Sequence, residues 1–132
     1  MGLDMYLTGE KYLPTNWDKP EDNVTEDGFR LKSKELQLGY WRKHPNLHGY
    51  IVNTFAGGND NPCQRIELSA NSMRQIIEAV KNKDLPHTEG FFFGESDGSE
   101  DEETIQIFTK AIAWLESKED NVWRSVFYQA SW

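Results

Sequence analysis

Asp4 stands in the middle of the first apolar run of the chain, MGLDMYL. Such a carboxylate, gathered with the Arg42 guanidinium and the His48 imidazole, could hold an anionic ligand and move a proton. His48 and Cys63 form a second candidate pair. An imidazole beside a thiol stabilises the thiolate, and a third group must orient it. The plainer expectation is a small core cysteine and a satisfied, partly buried histidine. His44 and His48 are four apart, a spacing that suits two metal ligands on one helical face. Pro45 puts His44 at or before the helix start, however, and no HExxH glutamate accompanies them. The acidic run ESDGSEDEE (95–103) offers oxygen ligands. With Gly98 at the sixth position of an EF-hand, Phe93 falls where the first carboxylate belongs. No metal and no cofactor is expected.

Tyr40-Trp41-Arg42-Lys43 combines stacking rings with cations. That combination could grip a nucleic-acid strand, hold an acidic peptide, or pair with the chain's own acids, the commonest outcome. There is no GxxxxGK[ST], no GxGxxG and no GxSxG. The absence of catalytic signatures favours a binding role over an enzyme.

The elements that must position these residues follow from periodicity. Residues 3–13 alternate, with Leu3, Met5 and Leu7 on one side and Asp4, Tyr6 and Thr8 on the other, which predicts a strand. Residues 14–28 hold two prolines and five acids and predict a loop. Arg30, Lys32, Lys34, Arg42 and Lys43 face Glu35 alone, a local charge of +4 over 30–44 in an acidic chain. Pro45, then Leu47, Ile51 and Phe55, predict a helix over 45–56. QRIEL (64–68) reads as a short strand. Ser69 or Asn71 caps a helix carrying Met73, Ile76, Ile77 and Val80 and ending near Lys83. GFFFG (90–94) reads as a strand or packed loop, and 95–100 as a loop. Ser99 with Glu102 reads as a capping box for a helix bearing Ile105, Phe108, Ile112 and Leu115 to about Lys118. Val122 to Trp132 predicts a closing strand with two apolar faces, hence a central one. Together these predict an α+β fold: one domain over 1–132, with a mixed or antiparallel sheet that includes the N- and C-terminal strands and about three helices. Asp4 would then lie under cover and take donors from Arg42, His48 or Tyr128.

The chain has 132 residues, with five Trp, five Tyr and seven Phe, enough to build a core without disulfides. Its one cysteine fits a reducing compartment. No run approaches the ~18 apolar residues of a membrane span. No signal peptide is visible, and Tyr6 stands where a myristoylation motif wants Ser or Thr. Membrane association is therefore not expected. The net charge of −8 argues against nucleic acid as a general partner; it reads first as a solubilising surface, and it leaves open a basic protein surface as partner or a role as a nucleic-acid mimic. Oligomeric state is not legible.

Several blocks together resemble a family of small tailed-bacteriophage and prophage proteins. They are MGLDMYL, YWRK with a downstream Leu-His, a cysteine before a strand, LPHTEGFFFG and FYQASW, and they span nearly the whole chain. The acidic loops 14–28 and 95–103 depart from the family pattern. The resemblance implies a phage accessory protein in the bacterial host cytoplasm, an origin more than an activity. The acidic balance and the absence of catalytic signatures add the expectation of a non-enzymatic protein that engages a host macromolecule, with inhibition of a host DNA-binding or defence system among the readings. The positions carried over are Asp4, Tyr6, Trp41, Arg42, Lys43, His48, Cys63, Gly90, Gly94, Tyr128, Ser131 and Trp132. Of these, Asp4, His48 and Cys63 are the catalytic candidates, and Tyr6, Trp41, Arg42, Lys43, Tyr128 and Trp132 the binding candidates.

Overall fold

The computed structural model describes residues 2–89, 94 and 96–132. The strand or packed loop expected at GFFFG, with the carried-over Gly90, lies outside the described residues apart from Gly94. The alternation of the first segment forms β1 (Asp4–Tyr12), with Leu3, Met5 and Leu7 fully buried beneath it. A two-residue hairpin follows, β2 (Thr25–Glu26) and β3 (Phe29–Arg30). Its Asp27-Gly28 turn has φ of 53° and 83°, the left-handed pair that tight hairpins require. Then come β4 (Ser33–Arg42), α1 (Pro45–Phe55), β5 (Ile66–Glu67), α2 (Ala70–Lys81), α3 (Asp101–Glu116) and β6 (Trp123–Ser131).

The main sheet has the order β4-β1-β6-β5, and every pairing in it is antiparallel. The first and last strands therefore lie side by side at its centre, with Asp4 opposite Ser131 and Tyr12 opposite Trp123. The expected α+β domain with N- and C-terminal strands and three helices is what forms. The closing strand is central, but the reason differs from the one expected. Only its Val126, Tyr128 and Ala130 side is buried, and Trp123 on the other side is 75% exposed.

The helices cover one face of the sheet. Met73, Ile76, Ile77 and Val80 of α2 are all buried, and α3 contributes Thr104, Phe108, Ala111 and Ile112. Ser69 caps α2, its hydroxyl accepting the Ser72 N–H at 3.0 Å. The capping box expected at α3 does not form. Ser99 donates its hydroxyl to Asp97 instead, and Glu100 holds the N-cap position without a side-chain bond.

β4 is the strand that the pattern of charge concealed. It pairs along β1 with a bulge at Leu38, so that Leu7 faces Gly39 while Thr8 faces Gln37. Two glycines on these neighbouring strands make a flat seat for α3. A Cβ on Gly9 would lie 2.8 Å from the Trp114 ring, and one on Gly39 would lie 2.5 Å from Ile107.

Candidate functional site

The sheet divides the candidate residues between its two sides. On the open side, Asp4 stands opposite Arg42 on one neighbour and Ser131 on the other. It is only partly buried, and its donor is the Tyr40 hydroxyl, at 2.6 Å. The donors expected from the sequence, Arg42, His48 or Tyr128, do not serve. This single bond raises the Tyr40 hydroxyl above its ordinary value, because ionising it would place two negative oxygens in contact. Tyr6 packs beside Tyr40 with ring centroids 5.2 Å apart. Further along, Glu10 and Glu35 face each other across β1 and β4, a repulsive pair. Arg65 lies 3.4 Å from Glu10 and 3.8 Å from Glu35, with its guanidinium 4.1 Å from the centre of the Phe127 ring. Arg42 and Lys43 are exposed and make no ion pair among the described residues.

Trp41 points the other way. It is 3% exposed, stacks on Phe108 at 5.4 Å and donates its indole N–H to Thr104 at 2.9 Å. Strand alternation thus splits the Tyr-Trp pair, and Trp41 is core rather than a stacking platform.

On the helix side, α1 carries His48 into contact with β6. The Nδ1 atom lies 2.6 Å from the Tyr128 hydroxyl, and Nε2 lies 2.9 Å from an Asp60 carboxylate oxygen. A carboxylate only accepts, so Nε2 carries the proton and donates to Asp60. In the neutral ring Nδ1 is then the acceptor of the Tyr128 hydroxyl proton. Burial holds His48 below its ordinary value, with Asp60 pulling the other way. Burial also pushes Tyr128 well up, so its hydroxyl remains a donor. Trp132 closes one side, edge-on to the imidazole at 5.4 Å. Tyr128 and Trp132 therefore build the pin around His48 rather than an exposed ligand surface.

This geometry can pass a proton between Asp60 and Tyr128. The inner end is sealed, however, with Tyr128 1% exposed. Asp60, in the GGNDNP turn, carried no sequence signal beyond that of a turn residue.

Cys63 is exposed rather than a core residue, and its φ is 63°. Its N–H donates to the Ala130 carbonyl at 2.7 Å, and its carbonyl accepts from the Gln129 side chain. It makes no hydrogen bond to His48, whose ring nitrogens are engaged by Tyr128 and Asp60, so the two do not form a dyad. His44 and His48 likewise face different partners, since His44 turns toward Ser96.

The arm joining β1 to β4 is a further candidate surface, and it is ordered where a plain loop was expected. Asn16 and Asn23 clasp each other: the Asn16 N–H reaches the Asn23 side chain at 2.6 Å, and the Asn23 amide returns to the Asn16 carbonyl. Leu13 and Leu31 tie the base to Lys32 and Val24. On this frame Trp17 is 84% exposed and Phe29 77%. Asp18, Glu21, Asp22, Glu26 and Asp27 around them are all exposed, with Lys19 the lone cation in 14–28. A groove of about 730 Å³ runs along the arm, lined by Leu13, Trp17, Val24, Leu31 and Val122 with Asp22 and Asp120.

No helix among the described residues is long and apolar enough to cross a membrane. No family model, curated protein or solved structure matches the chain.

Proposed function

We propose that this chain is a non-enzymatic binding protein, made by a phage or prophage, whose acidic arm engages a basic surface of a host protein. The observation that carries the reading is Trp17 and Phe29, both exposed on a clasped arm whose five acids are exposed as well. Large exposed aromatics with a polar rim are the composition of an interaction surface. Trp is also the residue most able to act as an anchor. The Asn16–Asn23 clasp limits the ordering cost on association. The acids speed encounter with a basic partner and repel nucleic acid. The resemblance to phage proteins suggests a bacterial host as the setting; the arm itself departs from the family pattern, so the arm's partner is argued from its own residues.

An anionic-ligand site around Asp4, Arg42 and His48 finds no support in the geometry, because the sheet separates His48 from the other two.

The test immobilises the wild-type chain and a Trp17→Ala/Phe29→Ala variant, matched for folding by circular dichroism, and exposes both to bacterial lysate. The expected result is a basic protein retained by the wild type at low salt, released as salt rises, and lost from the double variant. Equal retention by both chains, or none above background, rejects the proposal.

A further inference from the structure

The lining of the groove beside the acidic arm comes from two separate segments, the arm between residues 13 and 31 and the residues 120–122 ahead of β6. Each segment is held by bonds of its own. The Asn16–Asn23 clasp sets the first. A turn sets the second: the Val122 N–H donates to the Glu119 carbonyl at 3.2 Å, with Asn121 in the left-handed region at φ 59°. Glu119 is fixed in turn by Lys11 at 3.0 Å and Arg124 at 3.1 Å. The groove is therefore formed before any partner arrives. Its volume of about 730 Å³ lies within the range of built ligand pockets.

Its chemistry combines apolar surface with unpaired negative charge. Leu13, Val24, Leu31 and Val122 supply the apolar part, and Trp17 lines the groove while staying largely exposed. Asp18, Asp22 and Asp120 are exposed and make no ion pair among the described residues. Arg30, partly buried, is the one cation of the lining, so three carboxylates against one guanidinium leave −2. Glu119, next to Asp120, is neutralised by the chain's own cations; the groove acids are not. An anionic ligand is repelled here, and a purely apolar one would strip water from the carboxylates without replacing it. A cation on an apolar stem suits every part. Its methylenes lie on the aliphatic surface and its charge meets the carboxylates and the indole face. A guanidinium serves better than an ammonium, because it is planar, stacks on rings and bonds carboxylates in pairs.

We infer that this groove seats an extended, arginine-bearing segment of the partner protein, with arginine side chains on Trp17 and the Asp22 and Asp120 carboxylates and an apolar neighbour on the aliphatic lining. The inference rests on the reading of the arm as an interaction surface and narrows its partner from a basic face to a linear segment. A concave groove drawn from two segments admits a single chain, whereas a convex folded surface touches only its edges. Phe29 does not line the groove and belongs to the surrounding contact.

The test titrates the ¹⁵N-labelled full chain with the capped peptide Ala-Arg-Leu-Arg-Ala and follows backbone amide shifts. Saturable shifts are expected at the groove, at Leu13, Val24 and Val122 among others, and they should weaken as salt rises. The Ala-Gln-Leu-Gln-Ala peptide and free arginine amide should bind far more weakly. Trp17→Ala should weaken peptide binding roughly tenfold or more. Exposed ion pairs are individually weak, so Asp22 and Asp120 are changed together, and Asp22→Asn/Asp120→Asn should weaken it roughly fivefold. Phe29→Ala should bind the peptide as the wild type does. No saturable binding, equal binding of the glutamine peptide, or shifts confined to other surfaces each overturn the inference. So does an equal loss in Phe29→Ala and Trp17→Ala. Free arginine amide binding as tightly as the peptide makes the groove a small-cation site and rejects the segment. If the peptide fails while the Trp17→Ala/Phe29→Ala variant still loses a lysate protein, the groove assignment falls and the arm's role stands. If the peptide binds while no lysate protein is retained, the arm's role falls instead.

Discussion

At the residue scale the His48 pin has measurable consequences. Tyr128→Phe keeps the ring but removes the buried hydroxyl that donates to His48 Nδ1, which should cost about 0.5–1.5 kcal/mol. The readout is a lower urea midpoint with an unchanged denaturant slope. The two buried histidines also set a pH dependence. Burial holds both below the ordinary value of 6.5, against the pull of Asp101 and Asp97 on His44 and of Asp60 on His48. The unfolded chain therefore takes up these protons at higher pH than the folded one. Their contribution is complete above about pH 6.5 and is lost as pH falls below it toward the folded values. Glu100 works the opposite way, because burial, then Glu103 and Asp97, raise its carboxyl. The histidines should dominate between about pH 7.5 and 5.5. The urea midpoint should drop across that window, and drop less in His44→Gln. A flat or rising midpoint contradicts the account.

At the element scale, α3 sits on the sheet only because Gly9 and Gly39 clear the space. Gly9→Ala places a methyl 2.8 Å from the Trp114 ring. Overpacking of this kind should cost about 1–3 kcal/mol, checked by thermal unfolding. The same scale shows how much could be read in advance. α2 was legible from its period, and all four stripe residues are buried; the cap, open between Ser69 and Asn71 in the sequence, is Ser69, and the helix ends at Lys81. β1 was legible from a loose alternation, carried by Leu3, Met5 and Leu7. β4 was not. Its first half is largely exposed, so charges fill it, and the bulge at Leu38 breaks the period where the buried half begins. The Asp27-Gly28 turn was a hairpin signal masked by the surrounding acids and prolines. Of the candidate site, His48 was legible as a buried polar group. Its partners were not, because Tyr128 and Asp60 meet it across separations that only the sheet topology creates.

At the scale of the whole molecule, the sheet separates two environments. Its helix side holds the core and the His48 pin. Its open side carries the Asp4–Tyr40 bond and the Arg65 bridge over Phe127. The acidic arm lies at the end where Tyr12 meets Trp123, both exposed. The net charge of −8 is thus unevenly used, with five acids against one lysine on 14–28 and a basic excess on 30–44. For that reason the arm variants should alter partner retention and its salt response while leaving the core intact.

The central pairing of β1 with β6 also fixes how the molecule yields to force. The strands are antiparallel, and Asp4, at the start of β1, faces Ser131, at the end of β6. Tension applied at these two points loads the ladder from one end. Its hydrogen bonds, perpendicular to the strands, then open one at a time like a zipper instead of shearing together. The centre of the sheet, the best-buried part at rest, is the seam that parts first when the chain is pulled.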